Sequence, residues 1–259
     1  HTVQLMKANF DRLVDGASQA AALSRHDGDH ASLAVAVSCV GRRLVLGERI
    51  EEEVEAIRTA LGDRARIVGF YSYGELSPAV GSDSCDLHNQ TMTLTTFVES
   101  PTPLRRREGL HLESTLFHDG RWHAPLPREL DGPNTLVTMF GAPGLLEDPA
   151  PVRAVQEAFP RSCIVGCSSA GEIHGTAVLD DSLSVSVASF SKTTLRSAVV
   201  EVVDSALSHA YGRKLAASFP RDGLRAIFVL SDGLNINGTE LVQGINDEVG
   251  DGVVVTGGL

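Results

Sequence analysis

Two hydrophobic patterns alternate along this chain. Continuous apolar runs rich in valine, such as residues 31–40 and 134–142, are typical of strands that are covered on both faces. Residues 3–24, 48–61 and 149–159 instead carry apolar side chains three and four positions apart, which is typical of helices that pack on a sheet. Because strands and helices alternate, the pattern predicts an α/β fold with parallel β-α-β crossovers.

An unusual sequence motif, which we call the phrase, occurs twice. Residues 67–78 read IVGFYSYGELSP and residues 164–175 read IVGCSSAGEIHG, so both share I-V-G-x-x-S-x-G-E, and Glu75 matches Glu172. Around each phrase the same order recurs: strand, helix, strand, loop with glutamate, alternating strand. The repetition predicts repeated β-α-β units with mixed sheets, arranged as two related halves.

The two repeats extend over residues 31–99 and 134–202, and a third one begins after them. Residues 205–259 read as helix, strand, helix and strand, and their final Gly-Gly stands where the other repeats have Ile-Val-Gly. Residues 100–133, rich in proline and arginine, are predicted to be a loop-rich connection between units. A strand edge left open at the end predicts that part of the molecule lies outside this sequence.

Composition and charge narrow the functional classes. The formal net charge of −11 argues against a nucleic-acid groove and against binding to an anionic membrane. No apolar run approaches the roughly 20 residues that a membrane-spanning helix needs, and no signal-peptide pattern leads the chain. The four cysteines lack the spacing of a disulfide framework or a zinc site, so we expect reduced thiols in a cytoplasmic protein.

The repeated phrases are also the candidate ligand site. Each passes from a strand into a turn of small residues, whose backbone N–H groups suit a carboxylate, carbonyl or phosphate. Parallel strands would bring both phrases to a shared hollow at their carboxyl ends, where ligand crevices of open α/β sheets lie. Glu75 and Glu172 would receive a cationic group there, or would instead keep a buried turn in shape, and the sequence favours the second role. The expected ligand-binding residues are Tyr73, Gly74, Glu75, Asn89, Cys167, Ser168, Gly171 and Glu172.

A binding role is expected rather than an enzymatic one. The hydrolase turn G-x-S-x-G is only partly matched, because Cys167 stands where the glycine before Ser169 belongs, and the copy around Ser72 also lacks that glycine. A nucleophilic Cys167 is not required by the repeat, since Phe70 takes its place in the other copy. No P-loop, dinucleotide-binding glycine motif or H-E-x-x-H is present. A serine or cysteine hydrolase is the less favoured alternative.

The phrases resemble the FIST domains, which are small-molecule sensory modules of bacteria and eukaryotes. GCSSAGEIHG with the following DDSLSVSVASF resembles the N-terminal half of the family, whereas VGFYSYGELSP and LHNQTMTL resemble its C-terminal half. The resemblance implies a C-terminal-type segment at residues 1–100 and an N-terminal-type segment, incomplete at its end, at residues 101–259. This order is the reverse of the family's. Because both open ends fall on the same missing interval of the family pattern, we expect a missing middle piece rather than a permuted chain.

The resemblance also implies a role in bacterial signal transduction. Some FIST proteins are haem-binding nitric-oxide sensors that act on a partner histidine kinase. His88 is then the candidate axial ligand of the haem, and His174 is the weaker candidate. No C-x-x-C-H haem motif is present. The broader alternative is a sensor of amino acids or similar polar metabolites without haem. The implied partner is a histidine kinase or a cyclic-dinucleotide signalling protein, and the chain itself could form a homodimer.

Overall fold

Three mixed β-sheets with helices between them build the part of the chain that the structure describes. The computed structural model describes residues 9–26, 31–82, 84–99, 109–250 and 252–259. Within these ranges the strands pair both parallel and antiparallel and alternate with helices, so the predicted α/β class is confirmed. The strands belong to three β-α-β units that follow one another along the chain.

The first unit is a parallel strand pair with a third, antiparallel strand. Its elements are α1 (Phe10–Ser24), β1 (Ser32–Cys39), α2 (Val40–Leu46), α3 (Ile50–Leu61), β2 (Ala65–Ser72), β3 (Glu75–Pro78), β4 (Cys85–His88) and β5 (Met92–Val98). β1 pairs in parallel with β2 and antiparallel with β5. The Asn9 side chain caps α1 by accepting the Arg12 N–H, and Gly62 ends α3 at a φ of 83°. The predicted apolar face of α3 is confirmed, because Val54 and Ile57 are buried.

The second unit repeats this order after an additional hairpin. Its elements are β6 (His111–His118), β7 (Arg121–Trp122), β8 (Thr135–Gly141), α4 (Ala150–Ala158), β9 (Cys163–Ser168), β10 (Glu172–His174), β11 (Ala177–Leu179) and β12 (Leu183–Ser189). β8 pairs in parallel with β9 and antiparallel with β12, as β1 does with β2 and β5. The hairpin of β6 and β7 extends this sheet beyond β12.

The third unit contains helix, strand, helix and strand, as predicted. Its elements are α5 (Ser208–Ala217), β13 (Ala226–Leu230), α6 (Gly238–Val249) and β14 (Val254–Gly258). β13 and β14 are parallel, and α5 packs against α6. The Asn237 side chain caps α6 by accepting the Glu240 N–H.

A glycine occupies the same register position in all three units. It lies in the second strand of each unit, opposite a residue of the first strand. The pairs are Gly69 with Ala36, Gly166 with Met139, and Gly257 with Val229. A Cβ atom at any of these glycines would overlap the backbone carbonyl oxygen of the residue opposite. The shared restriction shows that the third unit is a structural repeat of the other two.

The hairpin after each second strand is attached to a different unit. The hairpin β10–β11 of the second unit pairs antiparallel with β2 of the first unit. The hairpin β3–β4 of the first unit pairs antiparallel with β14 of the third. The sheet orders are therefore β11-β10-β2-β1-β5, β13-β14-β3-β4 and β7-β6-β12-β8-β9. The sequence predicted loops at both glutamate phrases, and short strands form instead because a neighbouring unit supplies the partner edge.

One apolar core collects side chains from all three units. Val37 of β1, Phe70 of β2 and Phe140 of β8 are buried in it, and the two phenylalanine rings stack with centroids 4.7 Å apart. Phe228 and Leu230 of β13 pack against the same cluster. The units are therefore held together by apolar packing as well as by the exchanged hairpins.

Two local predictions differ from the structure. The connection expected over residues 100–133 contains β6 and β7, because Phe117 packs into the second unit and against the Trp122 ring. Residues 100–108 of that connection lie outside the described ranges. The turn predicted at Gly41 is part of α2, and the buried Arg42 in the first turn of this helix bonds to α3.

A buried network of charged and hydroxyl groups fixes α2 and α3 on the first unit. Glu53 is fully buried and accepts hydrogen bonds from the Ser38 and Tyr71 hydroxyls and from the Arg42 guanidinium. Arg42 also donates to the Leu13 carbonyl of α1 at 2.7 Å. Burial, together with the Glu53 carboxylate, raises the pKa of Tyr71 far above its usual range, so the phenol keeps its proton.

Candidate functional site

The first repeated phrase closes around a buried carboxylate. Glu75 is fully buried, and its Oε1 accepts a hydrogen bond from the Ser72 hydroxyl at 2.9 Å. Its Oε2 accepts from the Thr91 hydroxyl at 2.7 Å and from the Thr91 N–H at 3.2 Å. The Ser72 hydroxyl also lies 3.5 Å from the Ser38 carbonyl oxygen. We call Ser72, Glu75 and Thr91 the first acidic corner.

The second phrase forms the same arrangement. Glu172 is 1% exposed, and its Oε1 accepts from the Ser169 hydroxyl at 2.6 Å. Its Oε2 accepts from the Ser182 hydroxyl at 2.8 Å and from the Ser182 N–H at 3.1 Å. The Ser169 hydroxyl lies 3.4 Å from the Gly141 carbonyl oxygen, which corresponds to that of Ser38 in the first unit. We call Ser169, Glu172 and Ser182 the second acidic corner.

Matching backbone hydrogen bonds attach each corner to the second strand of another unit. The bonds are Tyr73 N–H to Leu259 O at 3.0 Å, Leu259 N–H to Gly74 O at 2.9 Å, Ala170 N–H to Tyr71 O at 3.1 Å and Tyr71 N–H to Gly171 O at 2.9 Å. The first two join the first unit to the third, and the last two join the second unit to the first. The corners therefore lie at seams between units.

The two carboxylates occupy separate corners. Within the described ranges no donor contacts both of them, and groups of the chain itself satisfy both oxygens of each. Burial raises the pKa of Glu75 and Glu172, while the hydroxyl and N–H donors act in the opposite direction. This geometry agrees with the structural role, in which each glutamate keeps a buried turn in shape. A ligand amine would have to replace donors already present, and ligand binding at these glutamates stays a prediction.

Arg43 spans the seam beside the second acidic corner. Its guanidinium donates to the Ala170 carbonyl oxygen and to the Asp180 carboxylate, the latter at 2.6 Å, and lies 5.6 Å from the centroid of the Tyr71 ring. The side chain of Arg43 is 24% exposed and that of Asp180 is 67% exposed. Their hydrogen bond raises the pKa of Arg43 and lowers that of Asp180. A charged pair that solvent can reach therefore lies between the first and second units.

The other predicted ligand residues divide between the two seams and the surface. Tyr73 is 55% exposed, Gly74 is buried against Leu87, Gly171 is buried against the Arg43 guanidinium, Cys167 is half-buried, and Ser168 and Asn89 are exposed. No hydrogen bond within the described ranges joins any of these residues to Glu75 or Glu172. Sequence reasoning did not identify the partners Thr91 and Ser182. Their signal is a hydroxyl residue just before the alternating strand of each repeat.

The two candidate haem ligands differ in which ring nitrogen has a lone pair. His88 Nε2 lies 3.0 Å from the Ser77 carbonyl oxygen, which only accepts, so Nε2 carries the proton and Nδ1 has the lone pair. His174 Nδ1 lies 3.0 Å from the Ser184 hydroxyl, whose own proton is donated to the Ile173 carbonyl at 2.9 Å. His174 therefore donates from Nδ1 and has its lone pair on Nε2.

The tautomer of His174 places the ring lone pair on Nε2, and haem binding by either histidine stays a prediction. Nε2 lies on the side of the ring away from the backbone. Metal-bound histidines also donate the other ring N–H to a protein oxygen, as His174 does to Ser184. Burial, with a smaller effect of His123, lowers the pKa of His174 to about 4, which keeps the ring neutral. Within the described ranges, no group of three or more His, Cys, Asp or Glu side chains could hold a metal ion by itself.

His174 is expected to make the protein less stable in acid. Its ring stays neutral in the fold down to about pH 4, whereas in the unfolded chain it takes a proton near pH 6.5. The unfolded state then binds more protons, so the free energy of unfolding should fall as the pH falls from 6.5 towards 4, by on the order of 2 kcal/mol after solvent screening is allowed for. Urea unfolding across this range measures the slope. His174→Asn, whose amide can still donate to Ser184, should flatten it, and an unchanged slope would contradict the assignment.

Ser169 and Cys167, the candidate nucleophiles, have no activating histidine among their hydrogen-bond partners in the described part of the chain. The Ser169 hydroxyl donates to Glu172, and no hydrogen bond in the described part of the chain joins Ser169 to a histidine. Burial raises the pKa of the Cys167 thiol to about 12, so the thiol keeps its proton at neutral pH. Both observations weigh against the hydrolase alternative. That the protein has no enzymatic activity stays a prediction.

Comparison with protein families matches two parts of the chain. A model described as the FIST N domain matches residues 135–259, and one described as the FIST C domain matches residues 1–78. No curated protein matches the chain. No helix in the described ranges is long and apolar enough to cross a membrane. The division into segments at residues 100 and 101, and a cytoplasmic location, stay predictions.

Proposed function

The chain belongs to the FIST family of sensory ligand-binding domains, and from that membership we propose that it senses a polar metabolite at the seam beside the second acidic corner. FIST domains are associated with the sensing of small ligands in signal transduction and are not known enzymes. The observation that supports this site is the ion pair of Arg43 and Asp180. It lies between two units, next to the buried turn at Gly171, and is open to solvent.

An amino acid has the charge pattern that this pair would accept. Its carboxylate would take the place of the Asp180 carboxylate on the Arg43 guanidinium, which binds carboxylates through paired N–H···O bonds. Its ammonium group would then bind Asp180. Because an exposed ion pair contributes only about 0–1 kcal/mol, a ligand can displace it at little cost.

The same arginine connects the ligand to the arrangement of the units. Arg43 donates to the Ala170 carbonyl, in the phrase that leads into the hairpin β10–β11, while α2 carries Arg43 on the first unit. A ligand that moves the guanidinium would shift this hairpin relative to the first unit. A histidine kinase or a cyclic-dinucleotide signalling protein that binds near the seam would sense the shift, and in a homodimer each copy would have one such seam.

Titration calorimetry with a panel of amino acids tests the metabolite site. Arg43→Ala should weaken binding at least about tenfold, because a hydrogen-bonded charged partner is lost. The matched control is Arg49→Ala, since Arg49 also forms exposed ion pairs, with Asp11 and Glu52, away from the second corner. Binding that neither variant weakens, or that both weaken equally, would contradict the site, as would the absence of binding by every amino acid.

Haem is a second candidate ligand, supported by the tautomer of His174. Bound haem would supply an iron atom that binds nitric oxide. The contribution of this chain would be the neutral Nε2 of His174, with Ser184 holding the opposite side of the ring. In that case the protein would be a nitric-oxide sensor that regulates a partner histidine kinase.

An absorption spectrum of the purified protein with added haemin separates the two candidates. A Soret band that shifts with nitric oxide is expected if haem is the ligand. His174→Ala should abolish the band, and His88→Ala should leave it unchanged because the lone pair of His88 is on Nδ1. Loss of the band only in His88→Ala would instead support His88 as the axial ligand, which is the candidate that the sequence favoured. If no Soret band appears under any condition, the polar metabolite remains the proposed ligand.

A further inference from the structure

β9 has one unpaired edge in the described part of the chain. It pairs with β8 on one side and ends its sheet on the other. The equivalent strands of the other units are paired on both sides: β2 lies between β1 and β10, and β14 lies between β13 and β3. The edge of β9 is therefore the position in this threefold repeat that lacks a hairpin.

The solvent exposure of β9 also differs from that of its equivalent β2. All but one of the residues of β2 are buried, whereas every residue of β9 is half-buried or exposed, and Gly166 and Ser168 are exposed. Ser197 approaches the Cys163 thiol at the start of the strand. The open part of the edge is therefore its second half, which includes the position of Gly166.

The sequence of β9 does not protect this edge from pairing. Edge strands are commonly protected by lysine, proline or a bulge, and residues 163–168, CIVGCS, contain neither a charge nor a proline. Gly166 also keeps the close register with Met139 that Gly69 keeps with Ala36 in the strand that does receive a hairpin. The edge is therefore built like its two occupied equivalents.

We propose that β9 is the docking site for a third β-hairpin with a Ser-x-Gly-Glu corner. The first two hairpins form a directed series, from the second unit to the first and from the first to the third. A hairpin seated on β9, in the second unit, would occupy the position of this series that stays open in the described part of the chain. The expected occupant of the β9 edge is therefore a hairpin of another FIST-type segment. That hairpin must not already be paired with a strand elsewhere.

The register of the docked hairpin follows from its seated equivalents. Glu172 lies opposite Phe70 and Glu75 lies opposite Gly258, and Cys167 has the same position in β9. The third glutamate is therefore expected opposite Cys167. In β2 the N–H and carbonyl of Tyr71 bond to the incoming phrase, so Ser168, the equivalent of Tyr71, should do so in β9.

Hydrogen exchange of the full chain with a synthetic hairpin tests the proposal. The peptide copies residues 169–182, which include their own serine and glutamate corner. It should slow exchange of the amides at residues 164–168 at least about tenfold and leave those of β2 unchanged. The control peptide is N-methylated at the position of Ala170, which removes the donor that would bond to the Ser168 carbonyl, and it should give little protection.

Three results would overturn the proposal. One is no added protection in β9 with the unmodified peptide. Another is equal protection by both peptides, which would mean that the contact is not a strand ladder. The third is protection of β9 that rises with protein concentration alone, together with a dimer in sedimentation, since a second copy would then occupy the edge.

Discussion

Glu172→Ala is expected to lower the free energy of unfolding by about 3–5 kcal/mol. The change removes the acceptor of the Ser169 hydroxyl and of both the hydroxyl and N–H of Ser182, all in a buried corner. Each buried donor left without a partner costs about 1–3 kcal/mol, and the Ser169 hydroxyl can recover part of its loss at the Gly141 carbonyl, 3.4 Å away. Chemical denaturation at neutral pH measures the difference.

Two variants show whether this loss comes from the corner. Glu172→Gln keeps one acceptor oxygen and the shape of the side chain, so it should cost clearly less than alanine. Glu157→Ala removes a glutamate that is exposed on α4 and should change stability by less than about 0.5 kcal/mol. If Glu172→Ala were as mild as Glu157→Ala, the carboxylate would not hold the corner, and a ligand role at Glu172 would gain support.

Gly69→Ala is expected to destabilise the protein by at least about 3 kcal/mol. The added Cβ would overlap the carbonyl oxygen of Ala36 in the paired strand. Since the obstacle is backbone rather than the end of a flexible side chain, β1 and β2 would have to separate, and β2 also carries the hairpin of the second unit. Thermal and urea unfolding of the variant measure the loss.

Gly16→Ala is the matched control for this prediction. Gly16 lies inside α1, and its nearest contact for an added Cβ is the Arg42 guanidinium at 3.9 Å, an ordinary van der Waals distance. Alanine should therefore stabilise the protein there, by up to about 1 kcal/mol, through helix propensity. The equivalent changes Gly166→Ala and Gly257→Ala should resemble Gly69→Ala. If they instead resembled Gly16→Ala, the three units would not share one register.

The two buried glutamates of the site were predictable because the repeat is visible in the sequence. Two copies of one phrase identified Glu75 and Glu172 as equivalents, and the turn of small residues around each favoured a structural role. The hydroxyl partners were not identified, since Thr91 and Ser182 lie 16 and 10 residues from their glutamates. Only the return of the chain in β5 and β12 brings them back to the corner.

The sequence by itself determined the alternation of strands and helices, the repeat and the glycines that its strands require. These features are local, because apolar periodicity and turn chemistry act over a few neighbouring residues. Tertiary structure alone decided which unit receives each hairpin and that Arg43 meets Asp180, 137 residues later in the chain. Strand edges and charged groups find such partners through space, and a linear pattern does not record which edge the folded chain leaves open.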